Sequence, residues 1–206
     1  MCASLTGDFL SRQIFGLSPS LHFTLEISLP LNQYAWLLVL GVVTGLLGVF
    51  YNKMTIASLK LYDRIPVLKS YQKIIIPLFV SGVLGLWLPQ VIGGGHVLVN
   101  YLNSEQLVLS TLVVLLIVKF VFSLLSFGSG APGGIFFPLL ILGSLIGAIF
   151  GQIAMIFGIA DVYFVNFVIF AMAGFFAGIV RAPITGIVLI AEMCGTLKLL
   201  LPIFFV

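Results

Sequence analysis

The chain has 206 residues, 61% hydrophobic and only 7% charged, and nine Lys and Arg against six Asp and Glu give a formal net charge of +3. A soluble domain carries roughly 25% charged residues to solvate its surface, so this composition, with a mean hydropathy of +1.29, excludes a water-facing exterior. Long unbroken apolar runs, rather than alternation over about ten positions, argue against a transmembrane barrel and for helices in a bilayer, where backbone groups must be satisfied internally.

Residues 1–30 are mixed in character: 4–15 reads as the tail of a helix, and 16–20 (GLSPS) as a turn. Asp8 and Arg12 interrupt the first 15 residues, so no cleavable signal peptide is expected and targeting falls to the spans themselves. Residues 32–51 form an apolar run of about 20 residues, enough to cross roughly 30 Å of hydrocarbon. Trp36 and Tyr51 stand near its ends as interfacial anchors. Lys53, Lys60, Arg64, Lys69 and Lys73 follow, opposed only by Asp63, so the positive-inside rule puts residues 53–73 in the cytoplasm. An acidic-lipid or nucleic-acid patch is the rival reading of that cluster, and topology accounts for it without a nucleic-acid partner.

Residues 74–89 are apolar, with Pro77 inside the run, and break at Gly93–Gly95. Residues 107–125 form the next span, and its Lys119 must snorkel, pair or face a polar cavity. From Phe120 to Ala160 there is no charged residue. Forty residues exceed one span of about 20, so a break is expected, and 128–134 (GSGAPGG) supplies it. A helix is expected over 135–157, and two further apolar pieces after 162, separated near Arg181–Pro183 and near Lys198–Pro202. Several pieces are shorter than a full crossing, which implies tilted, broken or re-entrant helices. Gly143, Gly147 and Gly151 recur every fourth residue and mark a face for close helix packing.

The chemistry concentrates at residues 130–138 (GAPGGIFFP). Glycine permits close backbone approach and positive φ, and Pro132 stops the preceding helix. The first N–H groups of the helix that follows lack internal partners and carry about half a positive charge. Such an end, aimed into the membrane interior, binds an anion without a basic side chain and holds it loosely enough for release. A plain kink between packed helices is the competing reading of the same residues. No Walker lysine and no Gly-x-Ser-x-Gly elbow is present, and no nucleophile–base pair is visible, so an enzyme is not expected. Cys2 and Cys194 are too far apart in sequence for a disulfide framework, and His22 and His96 are isolated, so neither metal nor cofactor is expected.

Residues 126–138 (SFGSGAPGGIFFP) resemble the second-half signature of the CLC chloride channel and transporter family, whose Gly-x-Phe-x-Pro is matched by Gly134, Phe136 and Pro138. Residues 179–193 (IVRAPITGIVLIAEM) resemble the family segment in which Arg-Ala-Pro opens a helix ending in glutamate, and 92–96 (IGGGH) resembles its glycine-rich connection. The three matches occur in family order. The resemblance implies an all-α integral membrane fold of tilted, broken and re-entrant helices, one of two inverted halves and incomplete. It implies that the backbone amides of Ile135 and Phe136, within the filter segment Gly134, Ile135, Phe136, Phe137 and Pro138, coordinate chloride. It further implies a homodimeric complete protein in the cell membrane, each subunit with its own pore.

Residues 1–206 match only the second half of the family's membrane domain. The first half, with its pore serine and gating glutamate, and the final helix, with its ion-closing tyrosine, have no counterpart. The expectation is therefore a truncated product or partial gene model that supplies one wall of a chloride site and does not transport alone. The alternative is a non-transporting membrane fragment that associates with a full-length subunit. Glu192, in an apolar run and 11 positions after Arg181, is expected to cap or bond a nearby helix end, with proton relay as the second possibility.

Overall fold

The computed structural model describes residues 6, 7, 9, 10, 13, 30, 33–64, 72–92, 108–131 and 133–194. Six helices are delimited among the described residues: α1 (Tyr34–Asp63), α2 (Ile75–Trp87), α3 (Leu109–Gly128), α4 (Phe136–Ile156), α5 (Phe164–Val180) and α6 (Pro183–Met193). Single 3-10 turns at Gln72–Ile74, Pro89–Val91 and Asp161–Tyr163 lead into or out of them, and no strand occurs among the described residues. Thr6, Gly7, Phe9, Leu10 and Gln13 are helical, in keeping with the helix tail expected there.

Among the described residues, four helical stretches are long and apolar enough to cross a membrane: α1, α3, α4, and α5 with its leading 3-10 turn. Within α4 and within the α5 stretch 67% of the apolar window is buried by protein, against 28% for α1 and 22% for α3. The α4–α5 pair is thus the protein-facing core, and α1 and α3 turn much of their apolar surface outward. Such outward surface suits lipid, which solvates it as well as a core would.

Glycine sets how closely α4 and α5 approach. A Cβ at Gly143 would stand 2.7 Å from the Met172 Cα, and one at Gly147 2.6 Å from both the Phe167 carbonyl oxygen and the Val168 Cα. At Gly151 it would meet the Phe164 ring at 2.9 Å. The glycine stripe therefore packs α4 directly on the backbone of α5, as its spacing predicts. Around this seam Leu139, Leu142, Leu145, Phe167, Phe170 and Phe175 fill the core. Buried hydroxyls return to their own helices: Thr44 donates to the Leu40 carbonyl at 2.9 Å and Ser144 to the Ile141 carbonyl at 2.8 Å.

Three boundaries depart from expectation. The first span does not end at Tyr51 but continues as one helix to Asp63, so Lys53 and Lys60 lie on α1 rather than in a connection. Beyond it, Lys73 of the next 3-10 turn lies 3.7 Å from Asp63; the lysine is mostly covered but the carboxylate is exposed, so water weakens the pair. Pro77 falls in the first turn of α2, because that helix begins at Ile75; there its missing N–H costs nothing and no kink is needed. The breaks at Gly93–Gly95 and Lys198–Pro202, together with His22, His96 and Cys2, lie outside the described residues. Cys194 is a buried free thiol that packs in the core, as expected of a small apolar residue.

Candidate functional site

The break between α3 and α4 is built by a short, internally bonded turn. α3 ends at Gly128; the Ser129 N–H then donates to the Leu125 carbonyl at 3.2 Å, and Gly130 N–H to that of Phe127 at 3.2 Å. Gly130 takes φ of 73°, the left-handed position that closes a helix at least cost with glycine. The Ser129 hydroxyl locks the turn by donating to the Ser126 carbonyl at 2.7 Å and accepting from the Ala131 N–H at 3.3 Å. Gly130 is where positive φ is used; Gly133 and Gly134 do not adopt it. A Cβ at either of these two would meet no heavy atom within 4 Å, so there glycine leaves space open. Pro132 lies outside the described residues.

Ile135 is the N-cap of α4 and Phe136 its first residue; Leu139 N–H closes the first turn onto the Ile135 carbonyl at 3.1 Å. A helix starting at Phe136 leaves its leading amides without intrahelical acceptors. Pro138, third in the helix, has no N–H to orphan, which suits the first turn. The Phe136 ring packs edge-on against Phe137 and Phe176, both with centroids 5.3 Å away, and Phe137 is partly exposed. These contacts anchor the turn to α5, and neither Phe136 nor Phe137 is among the residues that line the cavity beside it.

A cavity of about 300 Å³ opens at this helix end. Gly133, Gly134, Ile135 and Pro138 form one side of it; Lys119, Phe122, Ser123, Ser126 and Phe127 of α3 form another, with Ser81 and Ile92 completing the lining. Lys119, Phe122, Ser123, Ser126 and Phe127 are spaced i, i+3, i+4, i+7 and i+8, one face of a helix, so α3 turns a partly polar stripe to the cavity. The Lys119 side chain is buried and its Nζ donates to the Val91 carbonyl at 2.6 Å. This tethers α3 to the 3-10 turn Pro89–Val91 and places a cation beside the α4 N-terminus. Lys119 faces a cavity, one of the alternatives expected of it. Ser123 and Ser126 escaped the sequence reading, although their register with Lys119 on an otherwise apolar helix was the available signal.

Glu192 is not brought to this cavity. It sits near the C-terminal end of the short helix α6, exposed, with no bonding partner among the described residues. The expected cap or hydrogen bond is absent there because the helix turns Gly186, Ile187, Ile190 and Ala191 inward and leaves position 192 on the outer face. Arg181, also exposed, ends α5 in the left-handed conformation at φ 58°, and Pro183 starts α6 two residues later. Among the described residues no group of three or more His, Cys, Asp or Glu could hold a metal.

With a glycine-packed α4–α5 pair and a cavity at the break between α3 and α4 described, the chain can be set beside known proteins. The sequence model described as voltage gated chloride channel matches residues 1–206. The chain belongs to the voltage gated chloride channel family. It is 40% identical over 179 residues to the H(+)/Cl(-) exchange transporter ClcA of Vibrio parahaemolyticus, covering 84% of this chain and 38% of that relative. With the protein of the same name from Klebsiella pneumoniae the identity is 33% over 208 residues, covering 97% of this chain and 44% of the relative. The fold superposes with a TM-score of 0.89 on a slow cyanobacterial Cl-/H+ antiporter at 27% identity, covering 98% of this chain and 48% of that one. A eukaryotic CLC transporter shares the fold at a TM-score of 0.71 and 22% identity, over 87% of this chain and 32% of its own. The fold is thus the expected CLC membrane architecture, and the chain spans less than half the length of each of these proteins.

Proposed function

We propose that this chain forms part of a chloride-transporting CLC protein, a channel or a proton/chloride antiporter, and supplies one wall of its anion pathway. The observation that carries the reading is the 300 Å³ cavity where the N-terminal end of α4 meets Lys119. The backbone amides of Ile135 and Phe136 are the anion ligands, held by the segment Gly134, Ile135, Phe136, Phe137 and Pro138. Partial charges at the helix end solvate chloride, and Lys119, engaged with Val91, raises the local potential without closing directly on the ion. Chloride is the ion favoured because the relatives bear the names of chloride exchangers.

In the complete assembly the protein is a multi-pass cell-membrane homodimer with residues 53–73 toward the cytoplasm. That side assignment now includes the last turns of α1, whose Lys53 and Lys60 can snorkel to the interface. Residues 1–206 form one incomplete membrane domain and do not transport by themselves, since an ion site needs ligands on all sides. The outward apolar faces of α1 and α3 also support association with a full-length subunit, so a non-transporting, subunit-binding fragment stands as the second reading.

The test is a chimera in which this chain replaces the matching segment of the Vibrio parahaemolyticus relative, reconstituted in liposomes. Chloride efflux from the chimera, and none from the 206-residue chain alone, is the expected pair of results. A chimera that folds and inserts yet moves no chloride overturns the transport reading. Copurification of the chain with a full-length subunit, without flux from the chimera, selects the second.

A further inference from the structure

Several hydroxyls in these apolar helices bond their own backbones, Thr44 to Leu40, Thr55 to Tyr51 and Ser144 to Ile141, and Ser58 of α1 donates across to the Leu124 carbonyl of α3 at 2.8 Å. Ser123 differs from all of these in having a second hydroxyl as its partner. Its Oγ lies 2.7 Å from the Oη of Tyr51, which comes from α1 and is 72 positions away in sequence. Tyr51 is itself buried and its ring is fixed between two neighbours, edge-on to Phe120 at 5.5 Å and to Phe175 at 6.0 Å. The phenol is therefore presented to Ser123 in one orientation, and Ser123 in turn lines the cavity while Tyr51 does not.

Each hydroxyl has one proton to give. When Tyr51 donates to Ser123, the serine keeps its own proton for another acceptor, and the cavity that Ser123 lines is the space left for one. The opposite polarity spends the serine proton on Tyr51 and leaves the cavity without this donor. An anion beside Lys119 and the α4 N-terminus selects the first arrangement, because O–H groups turned toward a negative charge form strengthened hydrogen bonds. We propose that the Ser123 hydroxyl is an additional hydrogen-bond donor to the anion in this cavity and that Tyr51 is the residue that positions it. This rests on the chloride reading above and adds a neutral ligand on α3, opposite the backbone amides of α4.

The experiment is chloride binding to the purified chimera described above, in detergent, read from the excess line width of the 35Cl resonance over protein-free micelles, which detects weak, fast-exchanging sites. Ser123→Ala and Tyr51→Phe should each weaken chloride binding about tenfold. The double variant should bind no worse than Ser123→Ala alone, since Tyr51 acts only through the Ser123 hydroxyl. Ser123→Thr, which keeps a hydroxyl, should restore binding, and Ser144→Ala, back-bonded in its own helix and absent from the cavity lining, should leave it unchanged. Tyr51→Phe keeps the ring in both aromatic contacts and carries the test should Ser123→Ala fail to fold. Wild-type affinity in a folded Ser123→Ala or Tyr51→Phe variant, or losses that add in the double variant, overturns the inference and leaves the chloride reading intact. Absence of chloride-dependent broadening in the folded chimera without these substitutions overturns both.

Discussion

Placing a single methyl group on Gly147 tests whether the backbone-to-backbone seam between α4 and α5 is what organises the core. Its Cβ would lie 2.6 Å from the Phe167 carbonyl oxygen, 2.6 Å from the Val168 Cα and 2.8 Å from the Ala171 Cβ. Ordinary contact begins near 3.4 Å, so the two helices must part by roughly 0.8 Å. Two of the three obstacles are backbone, which no rotamer change can move. Overpacking of this kind costs about 1–3 kcal/mol, with backbone clashes at the upper end. Alanine regains about 1 kcal/mol of helix propensity over glycine. The net expectation for Gly147→Ala is a loss of about 2 kcal/mol, or a melting temperature lower by about 4–8 °C at this chain length. Gly45→Ala on α1 is the control, because a Cβ there meets nothing within 4 Å and only the propensity gain remains. Thermal denaturation in detergent, followed by loss of the monodisperse chromatographic peak, measures both. A Gly147→Ala variant as stable as Gly45→Ala would refute the packing account of α4 and α5.

Arg181 sits at φ 58° and ψ 33°, which costs a non-glycine residue about 1–2 kcal/mol. Arg181→Gly should therefore melt no lower than wild type despite the extra freedom of its unfolded chain, and β-branched Arg181→Val should melt several degrees lower. Glu192 is exposed and partnerless among the described residues, so Glu192→Gln should change stability by no more than about 0.5 kcal/mol in a denaturation series. In a transporting chimera that variant should also keep its proton coupling, and a selective loss of coupled proton movement would assign Glu192 a relay role. Lys119→Met removes the cation from the cavity, and chloride binding by 35Cl line width should fall about tenfold, a change of about 1.4 kcal/mol; Lys119→Arg should retain most of it.

The fold's punctuation was readable in the sequence because Gly, Pro and charge mark breaks directly. The α3–α4 interruption at 128–134, the α5–α6 break at Arg181–Pro183 and the glycine seam of α4 all came from local spacing. The extension of α1 to Asp63 was hidden because Asn52, Lys53 and Lys60 ended the apolar run without ending the helix. Long polar stems can snorkel from a helix that continues past the hydrocarbon edge. At the candidate site, the α4 helix end followed from Gly134–Pro138, and Lys119 announced itself as a cation in an apolar run. The Tyr51–Ser123 and Lys119–Val91 bonds join helices 72 and 28 positions apart. No local pattern encodes such pairings; they exist only once α1, α3 and the Pro89–Val91 turn are packed together. Glu192 was singled out by its apolar neighbours, and the register of α6 leaves its side chain exposed rather than turned inward with Gly186, Ile187, Ile190 and Ala191.

The central claim is that the leading amides of α4 hold the anion, and an amide-to-ester replacement at Phe136 tests it most directly. Incorporating the α-hydroxy analogue of phenylalanine there deletes one N–H while keeping the ring against Phe137 and Phe176. The same replacement at Ile184, in the first turn of α6 and away from the cavity, is the reference. The account predicts chloride binding about tenfold weaker for the Phe136 ester, the loss of one hydrogen bond to a charged ligand, with the Ile184 ester binding like wild type. Equal chloride affinity in the Phe136 ester and the Ile184 ester would contradict it.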